Sequence, residues 1–195
     1  HNPENMPPQD VLGLEPGSTA SDWRRHPKGG GWVYRTAWVA DTAYVGPDAA
    51  ICDRARVRDN AVVSGDAVVR DRAVVCGRAW VLDSAVVRDR AVVCGRARVF
   101  GSAKVSGRAV VFGEAVVRDS AVVRGSAVVS GRAVVRGSAE VNGDARVLDH
   151  AEVSGDAVVS GSAEVSGDAV VCGNARVFGF AEVCDNARIG GGTIL

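Results

Sequence analysis

From residue 37 onward, apolar and polar residues follow one another in a fixed six-residue rhythm. Ala recurs at every sixth position from Ala37 to Ala187, giving 26 consecutive units. Val follows each of these alanines by two residues, replaced only by Ile51 and Ile189. Residues two apart lie on the same face of a strand, so Ala and Val point inward while the residues between them point to solvent. Four residues after each Ala stands Gly sixteen times, Asp nine times and Pro once. Gly tolerates positive φ and Asp can bond its own backbone, so each unit predicts one short strand and one corner. A strict internal period of this kind marks a solenoid. Three units closing a triangular coil give 18 residues per coil, so 26 units make about 8.7 coils, roughly 42 Å long at an inter-strand spacing of ~4.8 Å. The fold class expected is all-β, a single-stranded triangular β-helix of about 8 to 9 coils spanning 31–195. The closing segment GGGTIL is expected to keep the phase, with Thr193 and Leu195 inward.

Composition sharpens this reading. Ala and Val together number 67 of 195 residues against five Leu, which excludes a helical bundle and favours strands. Residues 1–30 hold five of the six prolines and no sustained period, so they are read as a linker or loosely ordered N-terminal cap. No apolar run approaches the roughly 18 residues that span a bilayer, so no membrane partner is expected. Five cysteines, none in a CxxC pair, argue against a disulfide framework or zinc ribbon and for a reducing, cytoplasmic compartment.

The repeat A-x-V-x-[GD]-x resembles the hexapeptide-repeat left-handed β-helix superfamily, which includes trimeric acyltransferases and the γ-class carbonic anhydrases. A nearer likeness is to YdcK-type and phage-encoded repeat proteins, in which a GGWV segment, here Gly30, Gly31, Trp32 and Val33, precedes tandem A-x-V-x-G units. The resemblance implies a left-handed coil and a trimer. It also offers an acyltransferase-like enzyme as the alternative to a non-catalytic scaffold. The chain departs from the acyltransferase pattern by placing Gly two residues after the aliphatic residue instead of one, and it lacks inserted loops.

Candidate chemistry is sparse. The histidines are His1, His26 and His150, and only His150 lies in the repeat. The carbonic anhydrase resemblance implies three imidazoles around zinc, which one repeat histidine does not supply. Stacking by 18 sets His150 between Arg132 and Asp168, either a base beside a carboxylate or a solvated corner column. Cys76 and Cys94 stack likewise, with Arg78 and Arg96 as the only neighbouring cations that could favour a thiolate. Without a loop-built pocket, no catalytic residue, metal or cofactor is assigned. Ranks of Thr, which an ice-binding face needs, are missing: Thr occurs only at 19, 36, 42 and 193.

Outward positions sort into three sides. The first side carries an apolar strip of Val74, Cys76, Val92, Cys94, Val110, Phe112, Val128 and Leu148. The second carries Val62, Trp80, Leu82, Phe100, Val116 and Val134, and the third alternates Val68, Val86 and Val122 with Arg70, Arg88 and Arg124. Flat apolar faces of this extent mark association surfaces, so a rigid scaffold that self-associates, as dimer or trimer, is expected. The corner after the third side stacks Arg54, Arg72, Arg90 and Arg108 beside Asp53, Asp71 and Asp89. With Arg70, Arg88 and Arg124 it reads either as an anion-binding rail or as a self-neutralising ladder. The formal net charge is zero and no aromatic is interleaved among these arginines, so nucleic acid is not the expected partner. Residues 49–136 hold 16 basic and 8 acidic groups, and 137–189 hold 3 and 9, which would also suit head-to-tail contact.

Overall fold

The structure is a computed structural model that describes residues 6–195. The chain forms an all-β parallel solenoid of about nine turns, because strands 18 residues apart pair in register: Trp80 lies between Val62 and Arg98, and Val110 between Val92 and Val128. Each side is one sheet. The first side starts with β3 (Trp38–Val39) and the second with β4 (Tyr44–Val45), and each has nine strands. The third has eleven, opening with β1 (Trp23–Arg25) and β2 (Trp32–Tyr34) before β5 (Ala50–Ile51).

The repeated Ala and Val fill the interior. Both columns are fully buried from Ala43 to Val177 and nearly so at Ala37, Val39, Ala181 and Val183. Ala187 and Ile189 are only partly buried, since they lie in the last turn, where no further coil covers them. Each buried Val contributes roughly 1.5–3 kcal/mol through apolar area removed from water. The backbone polar groups are satisfied between coils, as in Val92 N–H to Ala109 O at 2.9 Å and Cys94 N–H to Val111 O at 2.9 Å. No coil can therefore stand without its neighbours.

The corners adopt left-handed backbone. Asp53, Asp71 and Asp89 have φ of 51°, 59° and 61°, where most L residues are strained. Their carboxylates do not fold back on their own backbone, as the sequence suggests, but reach the next coil. The N–H of Asp71 donates to Asp53 Oδ2 at 3.1 Å, that of Asp89 to Asp71 Oδ2 at 3.0 Å, and that of Gly107 to Asp89 Oδ2 at 2.9 Å. Asp59, Asp83, Asp119 and Asp149 do the same for Gly77, Gly101, Gly137 and Gly167. Gly113 (φ 69°) shows the alternative, since a Cβ there would lie 2.9 Å from Gly131 O. Gly113→Ala is expected to cost about 1–2 kcal/mol in left-handed strain. Gly113→Asp should cost less, because its carboxylate gains a bond of roughly 1 kcal/mol to the Gly131 N–H. Urea unfolding of both variants checks the order.

Within the segment expected to form a linker or loose cap, Val11, Leu12, Leu14 and Trp23 pack on the first coil of the third side. β1 pairs antiparallel to β2, and Val11, Trp23, Trp32, Ala50 and Cys52 form a second buried cluster. The Asp53 N–H donates to Glu15 Oε1 at 2.5 Å, so Glu15 opens the column that the corner aspartates continue. Gly31 takes the inward place that Ala holds in later units, because a Cβ there would lie 2.2 Å from Val45 Cγ1. At the other end the expected phase slips by one residue. Thr193 pairs with Arg176 and Ile194 with Val177, so Ile194 turns inward and Leu195 is 86% exposed. The run Gly190, Gly191 and Gly192 makes the last corner one residue shorter than the others.

Candidate functional site

The apolar strip of the first side is built from two outward columns. Val74, Val92, Val110 and Val128 are direct register neighbours and half-buried by one another. Beside them stand Cys76, Cys94 and Phe112, the last 40% exposed. Buried Ser130 separates Phe112 from Leu148 in the same column, and Arg146 succeeds Val128 in the other. The structure thus brings seven of the eight strip residues into one patch and leaves Leu148 at its margin.

The thiols of Cys52, Cys76 and Cys184 are held away from the thiolate form. Burial, then the adjoining Cys94 thiol, push Cys76 up to about 11 from an ordinary 9.0. Burial raises the Cys52 thiol further still, and the Asp185 carboxylate raises that of Cys184. Alkylation of Cys76 by iodoacetamide, followed by peptide mass mapping, is expected to accelerate through pH about 11 instead of 9. A half-rate point at or below 9 would contradict the shielding.

His150 is exposed, and its Nδ1 lies 3.9 Å from Asp168 Oδ1, too far for a hydrogen bond. His26 is buried in the turn after β1, where its Nε2–H donates to Ala43 O at 2.8 Å. His1 lies outside the described residues. Among the described residues no group of three or more His, Cys, Asp or Glu could hold a metal ion, and no helix is long and apolar enough to cross a membrane.

The corner after the third side forms an open groove of about 680 Å³ lined by Asp53, Arg54, Asp71, Arg72, Asp89, Arg90, Gly107 and Arg108. Among the seven arginines marked by sequence, Arg70 Nε lies 3.7 Å from Asp53 Oδ2 and 3.8 Å from Asp71 Oδ1. Arg124 Nε donates to Glu140 Oε1 at 2.7 Å. Arg54, Arg72, Arg88, Arg90 and Arg108 are exposed and have no acidic partner within 4.0 Å among the described residues. The corner aspartates spend one oxygen on the inter-coil N–H, so the self-neutralising arrangement is confined to Arg70.

Sequence reasoning missed a second depression of about 710 Å³ formed by Thr36, Trp38, Arg54, Arg56 and Arg58, which shares Arg54 with the first. Trp38 is 53% exposed there. Aligning residues 36–38 with 54–56 by the 18-residue rule would have found it. A smaller hollow joins Trp80 to Arg78, Arg96 and Arg98, whose guanidinium sits 5.6 Å from the indole centroid. A scan against protein-family models finds no match to the chain, and a search of curated proteins finds none either.

Proposed function

We propose that this protein is a non-catalytic, rigid β-solenoid that acts as a structural scaffold and self-associates through its first side. The observation that carries the reading is the in-register row Val74, Val92, Val110 and Val128 flanked by partly exposed Phe112. Burying that row against a second copy removes apolar area at roughly 25 cal/mol per Å². A two-fold contact, in which the same patch faces itself, is the simplest closed solution, and a trimer serves the strip as well. A non-catalytic role is supported by the exposed His150, which has no hydrogen bond to Asp168, and by the thiols of Cys52, Cys76 and Cys184 shifted away from ionisation.

Sedimentation across a concentration series tests this directly. The wild type is expected to associate, and Phe112→Arg combined with Val110→Glu to shift it to monomer. An apolar side contact should survive about 0.5 M salt, whereas head-to-tail contact between the basic and acidic halves should weaken. A wild type that stays monomeric at high concentration removes the proposal, and an unchanged oligomer in the double variant places the contact elsewhere.

A further inference from the structure

The basic corner groove runs beside the apolar columns, its N-terminal end meets their first coils at Trp38 and Arg56, and it combines three features that a ligand must answer together. Arg54, Arg72, Arg90 and Arg108 rise along it one coil apart, at intervals of ~4.8 Å, without acidic partners among the described residues. Between them run Asp53, Asp71 and Asp89, which line the groove with one carboxylate oxygen, Oδ2, bound to the next coil's N–H, and of these Asp53 and Asp71 also face Arg70 at 3.7 and 3.8 Å. At the N-terminal end the groove passes Arg54 and reaches the exposed indole of Trp38, flanked by Arg56 and Arg58.

A bare polyanion answers only the first feature. Polyphosphate or a nucleic-acid backbone presents acceptors alone, and would meet three carboxylates on the groove floor. A sugar polymer bearing acid groups answers all three. Its carboxylates or sulfates accept forked, charge-assisted bonds from guanidinium groups, and its hydroxyls donate to carboxylates. The C–H face of a pyranose packs on an exposed indole, which has an apolar body and a polar edge. The coil spacing also lies close to the advance of one sugar along an extended chain. We infer that this groove binds an acidic polysaccharide, with its acid groups on Arg54, Arg72, Arg90 and Arg108, its hydroxyls on Asp53, Asp71 and Asp89, and a ring on Trp38.

Titration calorimetry at about 0.15 M salt tests the assignment with oligogalacturonate, heparin oligosaccharide, neutral dextran and oligothymidylate. At least one of the two acidic saccharides is expected to bind, which of them separating uronate from sulfate recognition, and dextran is not. Arg72→Ala with Arg90→Ala should weaken binding by about tenfold or more, through two lost charge-assisted contacts. Arg78→Ala with Arg96→Ala, on the next corner, should leave it unchanged. Asp71→Asn with Asp89→Asn keeps an oxygen acceptor for the inter-coil N–H but removes two negative charges. Binding should weaken in this variant if hydroxyls are read, and strengthen if the groove holds only a polyanion. Circular dichroism confirms that each variant keeps its strands. No binding of either acidic saccharide, stronger binding in the Asn variant, or tighter binding of oligothymidylate than of both saccharides through the same arginines would each overturn the inference.

Discussion

Trp32→Ala is expected to lower stability by about 3–5 kcal/mol, the range for removing a buried Trp side chain. The indole is 1% exposed and joins Val11, Trp23, Ala50 and Cys52 in the cluster that fixes the N-terminal segment to the first coil. The Arg25 guanidinium lies 3.8 Å from the ring centroid, so the substitution also removes a cation–π contact. The loss should be local at first. A solenoid is stabilised by nearest-neighbour interfaces, so opening the end coil frays the next before it reaches the centre. Hydrogen exchange should show lost protection at residues 23–34 and 50–52 with little change at 158–177. Equal loss along the whole rod, or none anywhere, contradicts the capping role of Trp32.

Ala109→Leu is the second large effect. Ala109 is fully buried, with Ala91 and Ala127 in the corresponding places of the adjoining coils. Three added carbon atoms have nowhere to go unless coils separate, and separation stretches ladder bonds such as Val92 N–H to Ala109 O at 2.9 Å. Overpacking of this kind costs about 1–3 kcal/mol, and more where the backbone cannot shift. Val110→Leu, one residue away but outward, should stay within about 0.5 kcal/mol. Urea unfolding of the pair separates interior crowding from strand propensity, and equal midpoints would place Ala109 outside the core.

The interior was legible because one column of Ala and one of Val can face inward only at a fixed period. The coil length followed from the same spacing. What the sequence hid was any contact between residues that share no period. Glu15 meets Asp53 from the segment before β1, and Trp23 joins Trp32 in one cluster because β1, which follows no hexad, pairs antiparallel to β2. The corner aspartates were recognised as bend formers, but their bonds run 18 residues forward, and local turn chemistry describes only bonds within a few residues. Leu195 was misplaced because a count of six treats every corner as equal, while the three consecutive glycines close the last one a residue early. The arginine column could be placed by counting, whereas its freedom from partners depended on where the carboxylates point.

From Ala37 to Ile189 every strand and corner is built from the same six-residue unit, while each surface column repeats after eighteen. A deletion of eighteen residues within the repeat would shorten the rod by about 4.8 Å and leave all columns aligned. A deletion of six would leave the interior equally well filled, since one Ala and one Val replace another pair. It would, however, turn everything downstream through a third of a revolution, joining the upstream Val row of the first side to residues that had faced elsewhere. Interior and exterior are thus inherited separately in this chain. The core admits any whole number of units, and only what the surface must touch distinguishes a rotation that works from one that does not.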